Sequence, residues 1–166
     1  MGLPGSGKST VGAAVAERLG RSFLDFDKEI ERREGATIAT LFAEQGEHHF
    51  RSKERELTEE LRAFGNMILA PGGGWVANAD VVALLRPPAS IIYLKVRPKV
   101  ALERLGPAWS TRPLLGRVDP LAELERLLAE REPLYAAADH IMEADRLDLQ
   151  QVTDKVTELA SAGGRG

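Results

Sequence analysis

The sequence predicts an α/β fold in which a parallel β-sheet is covered by helices on both faces. Three observations carry this. Short apolar runs alternate with helical patterns along the chain. Gly20, Gly35, Gly65 and Gly106 fall just past expected helix ends, and Pro98 and Pro120 fall in expected first turns, where a missing N–H does no harm. The chain also opens on a glycine-rich loop that runs directly into a helix-forming stretch, a pairing suited to holding phosphate. At 166 residues with 43% hydrophobic content the chain can bury one core, expected over residues 1–160 with 161–166 as a tail.

In chain order, Gly2-Leu3-Pro4-Gly5-Ser6-Gly7-Lys8-Ser9 matches the phosphate-loop pattern G-x-x-x-x-G-K-[ST]. Its glycines let the backbone turn N–H groups inward around a phosphate, Lys8 reaches the terminal phosphates, and the Ser9 hydroxyl takes a place on Mg²⁺. A helix over 7–19 sets its N-terminus on the same phosphate. Asp25 and Asp27 stand two residues apart at the end of a strand over 22–26, so both carboxylates point to one side at the sheet's carboxyl edge. One suits Mg²⁺ and the other suits accepting a hydroxyl proton. The structural alternative makes Asp27 the N-cap of a helix over 28–34.

A helix over 47–64 places Arg51 beside the apolar stripe Phe50, Leu57, Leu61 and Phe64. Glu47 and Glu54 stand at ion-pair spacing from it, so both a structural and a ligand role are open. The strand over 66–70 ends at Pro71 and then Gly72, Gly73 and Gly74, which fit either close approach of a ligand to the backbone or a plain turn. A helix over 79–85, a strand over 90–96 and a helix over 98–105 follow. Arg104 in the last of these has no acidic partner at helical spacing.

Segment 106–119, with Arg112 and Arg117, has no periodicity and reads as a functional lid. In a helix over 120–137, Arg131 faces Leu127, Leu128, Leu134 and Tyr135, so its guanidinium must find an anion elsewhere. A strand over 140–143 and a helix over 148–160 complete the pattern. His48 and His49, adjacent on a helix, point different ways and do not form a metal pair.

A net charge of −3 gives no whole-chain reason to expect nucleic acid or an anionic membrane as partner. The longest apolar runs, such as residues 91–94, are far too short to cross a bilayer. The absence of cysteine excludes thiolate chemistry and suits a reducing cytoplasm.

The stretches GLPGSGKST, FLDFD, GEHHFR, GGG, RPLL and REPLY, in this order and at these intervals, resemble the shikimate kinase family from Gly2 to about Met142. The resemblance implies a P-loop kinase fold of the nucleoside-monophosphate-kinase type, three layers with a five-stranded parallel sheet and a lid. It implies ATP- and Mg²⁺-dependent phosphorylation of the 3-hydroxyl of shikimate by a cytoplasmic enzyme, expected to be a monomer. Carried onto this chain, Gly5, Ser6, Gly7, Lys8, Ser9 and Thr10 hold the phosphates, and Ser9 and Asp25 serve the metal. Asp27 takes the substrate hydroxyls and is the candidate base. Arg51 and Arg131 clamp the substrate carboxylate, with the backbone of Gly72, Gly73 and Gly74. Arg112 closes over the transferring phosphate, and Arg104 lies near the adenine. Pro71 departs from the Ser or Thr usual before the glycines, and Pro107-Ala108-Trp109 alters the lid. A kinase of another small anionic polyol such as gluconate, and a non-catalytic nucleotide-binding module, are the alternative readings.

A phosphate loop normally leaves a buried central strand, and here only Met1 precedes it. The expectation is that this first strand is missing from the chain, that the natural protein begins several residues upstream, and that the sheet has a gap at its centre.

Overall fold

Strand and helix alternate through the computed structural model, which describes residues 1–111, Leu115 and residues 119–162. The elements are α1 (Lys8–Leu19), β1 (Ser22–Asp25), α2 (Phe26–Glu34), α3 (Ile38–Leu61), β2 (Met67–Ala70), α4 (Ala79–Leu85), β3 (Ile92–Lys95), α5 (Pro98–Leu105), α6 (Pro120–Tyr135), β4 (His140–Glu143) and α7 (Leu149–Ala162). Short 3-10 helices occupy Trp75–Ala77 and Gly106–Thr111. Among the described residues no helix is long and apolar enough to cross a membrane.

Among the boundaries that differ from expectation, those of α2 and α3 have a local reason. Helix α2 starts at Phe26 rather than 28, because the Asp25 carboxylate accepts from the Lys28 N–H at 3.1 Å and so caps the helix. The cap is therefore Asp25, and Asp27 sits in the first helical turn instead of on the strand. Helix α3 begins at Ile38, where Thr37 caps it through the Thr40 N–H, and it runs across a break at Gly46, whose φ of 81° lies outside helical geometry. The expected helix over 47–64 is its second half. Helix α7 runs on through Ser161 and Ala162, which were expected as tail.

The strands pair in parallel as β1 with β2 and β3 with β4, giving two two-stranded sheets among the described residues. The first register sets Asp25 beside Ala70, so the carboxylate stands next to the loop 71–74. Between β2 and β3 lies a cavity of about 680 Å³ bordered by Val15, Ile68, Ala70, Ile92, Leu94 and Val156. Met1 touches its β3 side: its amino group donates to the Ile92 carbonyl at 2.5 Å, and the Leu94 N–H donates to the Met1 carbonyl at 2.8 Å.

Two apolar clusters hold the layers. One joins Leu3, Val15, Tyr93, Leu94, Leu124, Leu127, Tyr135 and Val152 beneath α1, α6 and α7. The other joins Phe26, Ile30, Leu41, Phe50, Leu57, Trp75 and Val81 beneath α2, α3 and α4. Each such side chain contributes roughly 1.5–3 kcal/mol on burial. The second cluster fixes the arm that carries Arg51. There Trp75 meets Phe26 edge to face at 6.4 Å and donates its indole N–H to Thr58, whose hydroxyl donates to the Glu54 carbonyl.

Candidate active site

A cavity of about 540 Å³ opens at the carboxyl ends of β1 and β2. Gly5, Ser6, Gly7, Lys8, Ser9 and Thr10 form one wall, and Asp25, Asp27, Gly72 and Gly73 form the other, with Arg104 at the edge. The larger cavity between β2 and β3 is mostly apolar and lacks this convergence of charge, so the chemistry belongs to the smaller one.

The phosphate loop is shaped by close approach. Gly5 has a φ of 81°, and a Cβ there would overlap the carbonyl of Ala101. Only glycine satisfies both conditions. Lys8 folds back over the loop, its ammonium donating to the Gly2 and Leu3 carbonyls at 2.9 and 2.8 Å. The Ser6 hydroxyl is buried and has no hydrogen-bond partner among the described residues, an arrangement that a phosphate oxygen satisfies.

The Ser9 hydroxyl donates to the free side of the Asp25 carboxylate. That pair of hard oxygens beside the loop fits Mg²⁺, which takes one or two protein carboxylates and fills its remaining positions with water and phosphate. No cluster of three or more His, Cys, Asp or Glu suited to a metal occurs among the described residues.

The glycine loop meets the charged side chains one by one. A Cβ on Gly74 would sit 2.7 Å from Arg51 Cζ, so the guanidinium occupies the space that any side chain would need. A Cβ on Gly72 would lie 2.7 Å from Glu54 Oε1 and 3.1 Å from Asp27 Oδ1, which shows that these two carboxylates converge on one point. One on Gly73 would be 3.6 Å from Arg131. Arg51 and Arg131, on α3 and α6, thus flank a loop whose other side faces Asp27.

The ion-pair reading of Arg51 is visible in its contacts. Its Nε and Nη2 donate to Glu47 at 3.2 and 2.8 Å, its Nη1 donates to Glu54 at 2.5 Å, and its guanidinium lies over the Phe50 ring. Burial pulls the Arg51 pKa down, and Glu54 and Glu47 more than offset it, leaving it raised. Glu54 is 2% exposed, and its Oε1 has no hydrogen-bond partner among the described residues. Burial pushes its pKa up to about 7, with Arg51 opposing and Asp27 adding to the rise.

Arg131 is buried, and its guanidinium lies against the Tyr135 hydroxyl, which in turn donates to the Gly73 carbonyl at 2.6 Å. Arg104 donates to the Ala144 carbonyl at 2.6 Å. Arg112 and Arg117 lie outside the described residues. Of the expected lid, Gly106–Thr111 is a 3-10 helix rather than an irregular loop, and Leu115 is fully buried.

Sequence reasoning missed two residues here. Glu54 registers there only as an ion-pair partner of Arg51, because its burial comes from contacts remote in sequence. Tyr135 registers only as an apolar neighbour of Arg131, although its place one helical turn on was the available signal.

A phosphate loop facing a carboxylate, with two arginines across a glycine turn, defines a P-loop kinase acting on a small anionic alcohol. The model of the family described as shikimate kinase matches residues 4–161. A shikimate kinase of Symbiobacterium thermophilum is 41% identical over 100% of this chain and 97% of its own length. The solved shikimate kinase from Acinetobacter baumannii in complex with shikimate is 36% identical, covers 99% of this chain and 92% of its own, and superposes with a TM-score of 0.92. The chain belongs to the shikimate kinase family. A gluconokinase from Sinorhizobium meliloti, 17% identical over 99% of this chain and 95% of its own with a TM-score of 0.58, shares the fold alone.

Proposed function

We propose that this chain transfers the terminal phosphoryl group of ATP to the 3-hydroxyl of shikimate. The observation that carries the reading is the pairing of Arg51 and Arg131 with Asp27 around residues 72–74, opposite the phosphate loop. Two guanidinium groups suit a carboxylate and one carboxylate suits a hydroxyl, so the ligand that fits is an anionic polyol. Shikimate is bound in the Acinetobacter baumannii structure, whose fold and length this chain shares.

In this reading Arg51, Arg131 and the backbone of 73–74 hold the substrate carboxylate, which fixes the ring at its far end. Asp27 accepts the proton of the 3-hydroxyl as that oxygen bonds to phosphorus and the bond to the ADP oxygen breaks. Lys8, the α1 N-terminus and the loop N–H groups of residues 5–10 stabilise charge on the phosphate oxygens, and Arg104 borders the nucleotide. Ser9 and Asp25 would hold Mg²⁺ bound with ATP, and the metal would supply further charge neutralisation. Most of the barrier reduction then comes from positioning and electrostatics. A cytoplasmic monomer belongs to the same reading, and size-exclusion chromatography tests the monomer.

A coupled assay of ADP release, run side by side with shikimate and gluconate, tests the assignment. Turnover is expected with shikimate; turnover with gluconate alone would replace it.

A further inference from the structure

The glycine loop has no side chain of its own to fix it, yet the proposed clamp needs its backbone at a set orientation. Helix α6 supplies what is missing. Arg131 and Tyr135, four residues apart, share one helix face, and both reach Gly73. The Tyr135 side chain is fully buried, and its ring stacks on Tyr93 with centroids 4.8 Å apart. Tyr93 is tethered in turn, donating to Glu132 at 2.7 Å, and Glu132 pairs with Lys95 at 3.1 Å. The Tyr135 hydroxyl therefore has little freedom, and it donates to the Gly73 carbonyl at 2.6 Å.

The Gly73 carbonyl and the Gly74 N–H belong to one planar peptide unit, so fixing the first fixes the direction of the second. No protein acceptor takes the Gly74 N–H among the described residues. Gly74 is also the residue packed directly on the Arg51 guanidinium, while Arg131 lies against the Tyr135 hydroxyl. One phenol thus holds the carbonyl side of the peptide whose two glycines pack on the two arginines.

We propose that Tyr135 is a positioning residue, a strut whose hydroxyl orients the Gly73–Gly74 peptide so that its N–H joins Arg51 and Arg131 on the substrate carboxylate. The inference rests on the shikimate kinase reading for the identity of that carboxylate. Tyr135→Phe removes the hydroxyl and keeps the ring stack.

In that variant the KM for shikimate should rise about tenfold, as for loss of one oriented hydrogen bond to a charged group. The KM for ATP should stay within about twofold. A KM for shikimate that moves no more than twofold, or a parallel rise in both KM values, overturns the strut. A second readout is independent of the substrate. The residual dipolar coupling of the Gly74 N–H, which reads the direction of that bond, should change in Tyr135→Phe and keep the parent value in Tyr93→Phe, which loses only the bond to Glu132. Equal couplings in the parent and Tyr135→Phe overturn the strut even if the chain proves inactive on shikimate. Inactivity of the parent chain, with the couplings behaving as expected, counts against the substrate and leaves the strut standing.

Discussion

Gly74→Ala separates backbone cost from site cost. The backbone of Gly74, at φ −94° and ψ −7°, suits alanine, so the substitution brings no conformational strain. It lowers the entropy of the unfolded chain, a gain of about 0.4–1 kcal/mol. The new Cβ, however, would stand 2.7 Å from Arg51 Cζ and 2.8 Å from Nη1, with Nη2 closer still. Non-bonded carbon contacts settle near ~3.5–4 Å, so the guanidinium must retreat by about 1 Å. The obstacle is the tip of a long side chain, and the fold therefore survives while Arg51 slides away from the loop. Losing one charge-assisted contact to the substrate carboxylate costs about 1.5–3 kcal/mol, a factor of roughly 10–150 in binding. Steady-state kinetics with each substrate varied, together with a thermal melt, make the assay. The expected outcome is a KM for shikimate raised about 10- to 100-fold, a KM for ATP within twofold and a melting temperature within about 4 °C of the parent. An unchanged KM for shikimate in a folded Gly74→Ala protein would show that Arg51 does not act at this loop.

Other outcomes follow from the same geometry. Asp27→Ala should lower kcat with shikimate by about 10²–10⁴-fold, the range for a lost general base, while ATP binding measured by titration calorimetry stays near the parent's. Comparable losses in both would place Asp27 in the nucleotide site instead. Glu54 has a folded-state pKa of about 7 against an ordinary 4.5, so it favours folding below pH 4.5 and loses that contribution as the pH rises through 7. The difference in unfolding free energy between Glu54→Gln and the parent should therefore climb between pH 4.5 and 7, by about 3 kcal/mol at most. Urea unfolding across that range measures it, and a flat difference would show that Glu54 titrates normally.

The parts of the site that were legible in the sequence are those written in local spacing. The phosphate loop is contiguous, so its glycines, Lys8 and Ser9 declare themselves from residue types alone. Asp25 and Asp27 were legible as a pair, but their geometry was not. The side chain of Asp25 closes on the Lys28 N–H, which starts α2 early and moves Asp27 into the helix, yet both carboxylates still reach the same cavity. Arg131 has no acidic partner at helical spacing, and the side chain its guanidinium lies against is Tyr135, one turn on in its own helix. Tyr135 could not be paired with Gly73 in the same way, since 62 residues separate them and only the docking of α6 brings them together. Glu54 likewise reads only as an ion-pair partner of Arg51, and its burial beside Gly72 depends on residues distant in sequence. Strand pairing was equally hidden: the runs identify themselves, while their partners depend on how α1, α6 and α7 pack around them.

The product itself is decisive. Incubating the purified chain with ATP, Mg²⁺ and shikimate and following phosphorus by NMR should show a new monoester coupled to the C3 proton, in step with ADP. A folded protein that binds ATP but forms no shikimate phosphoester, or forms one at another hydroxyl, would contradict the account.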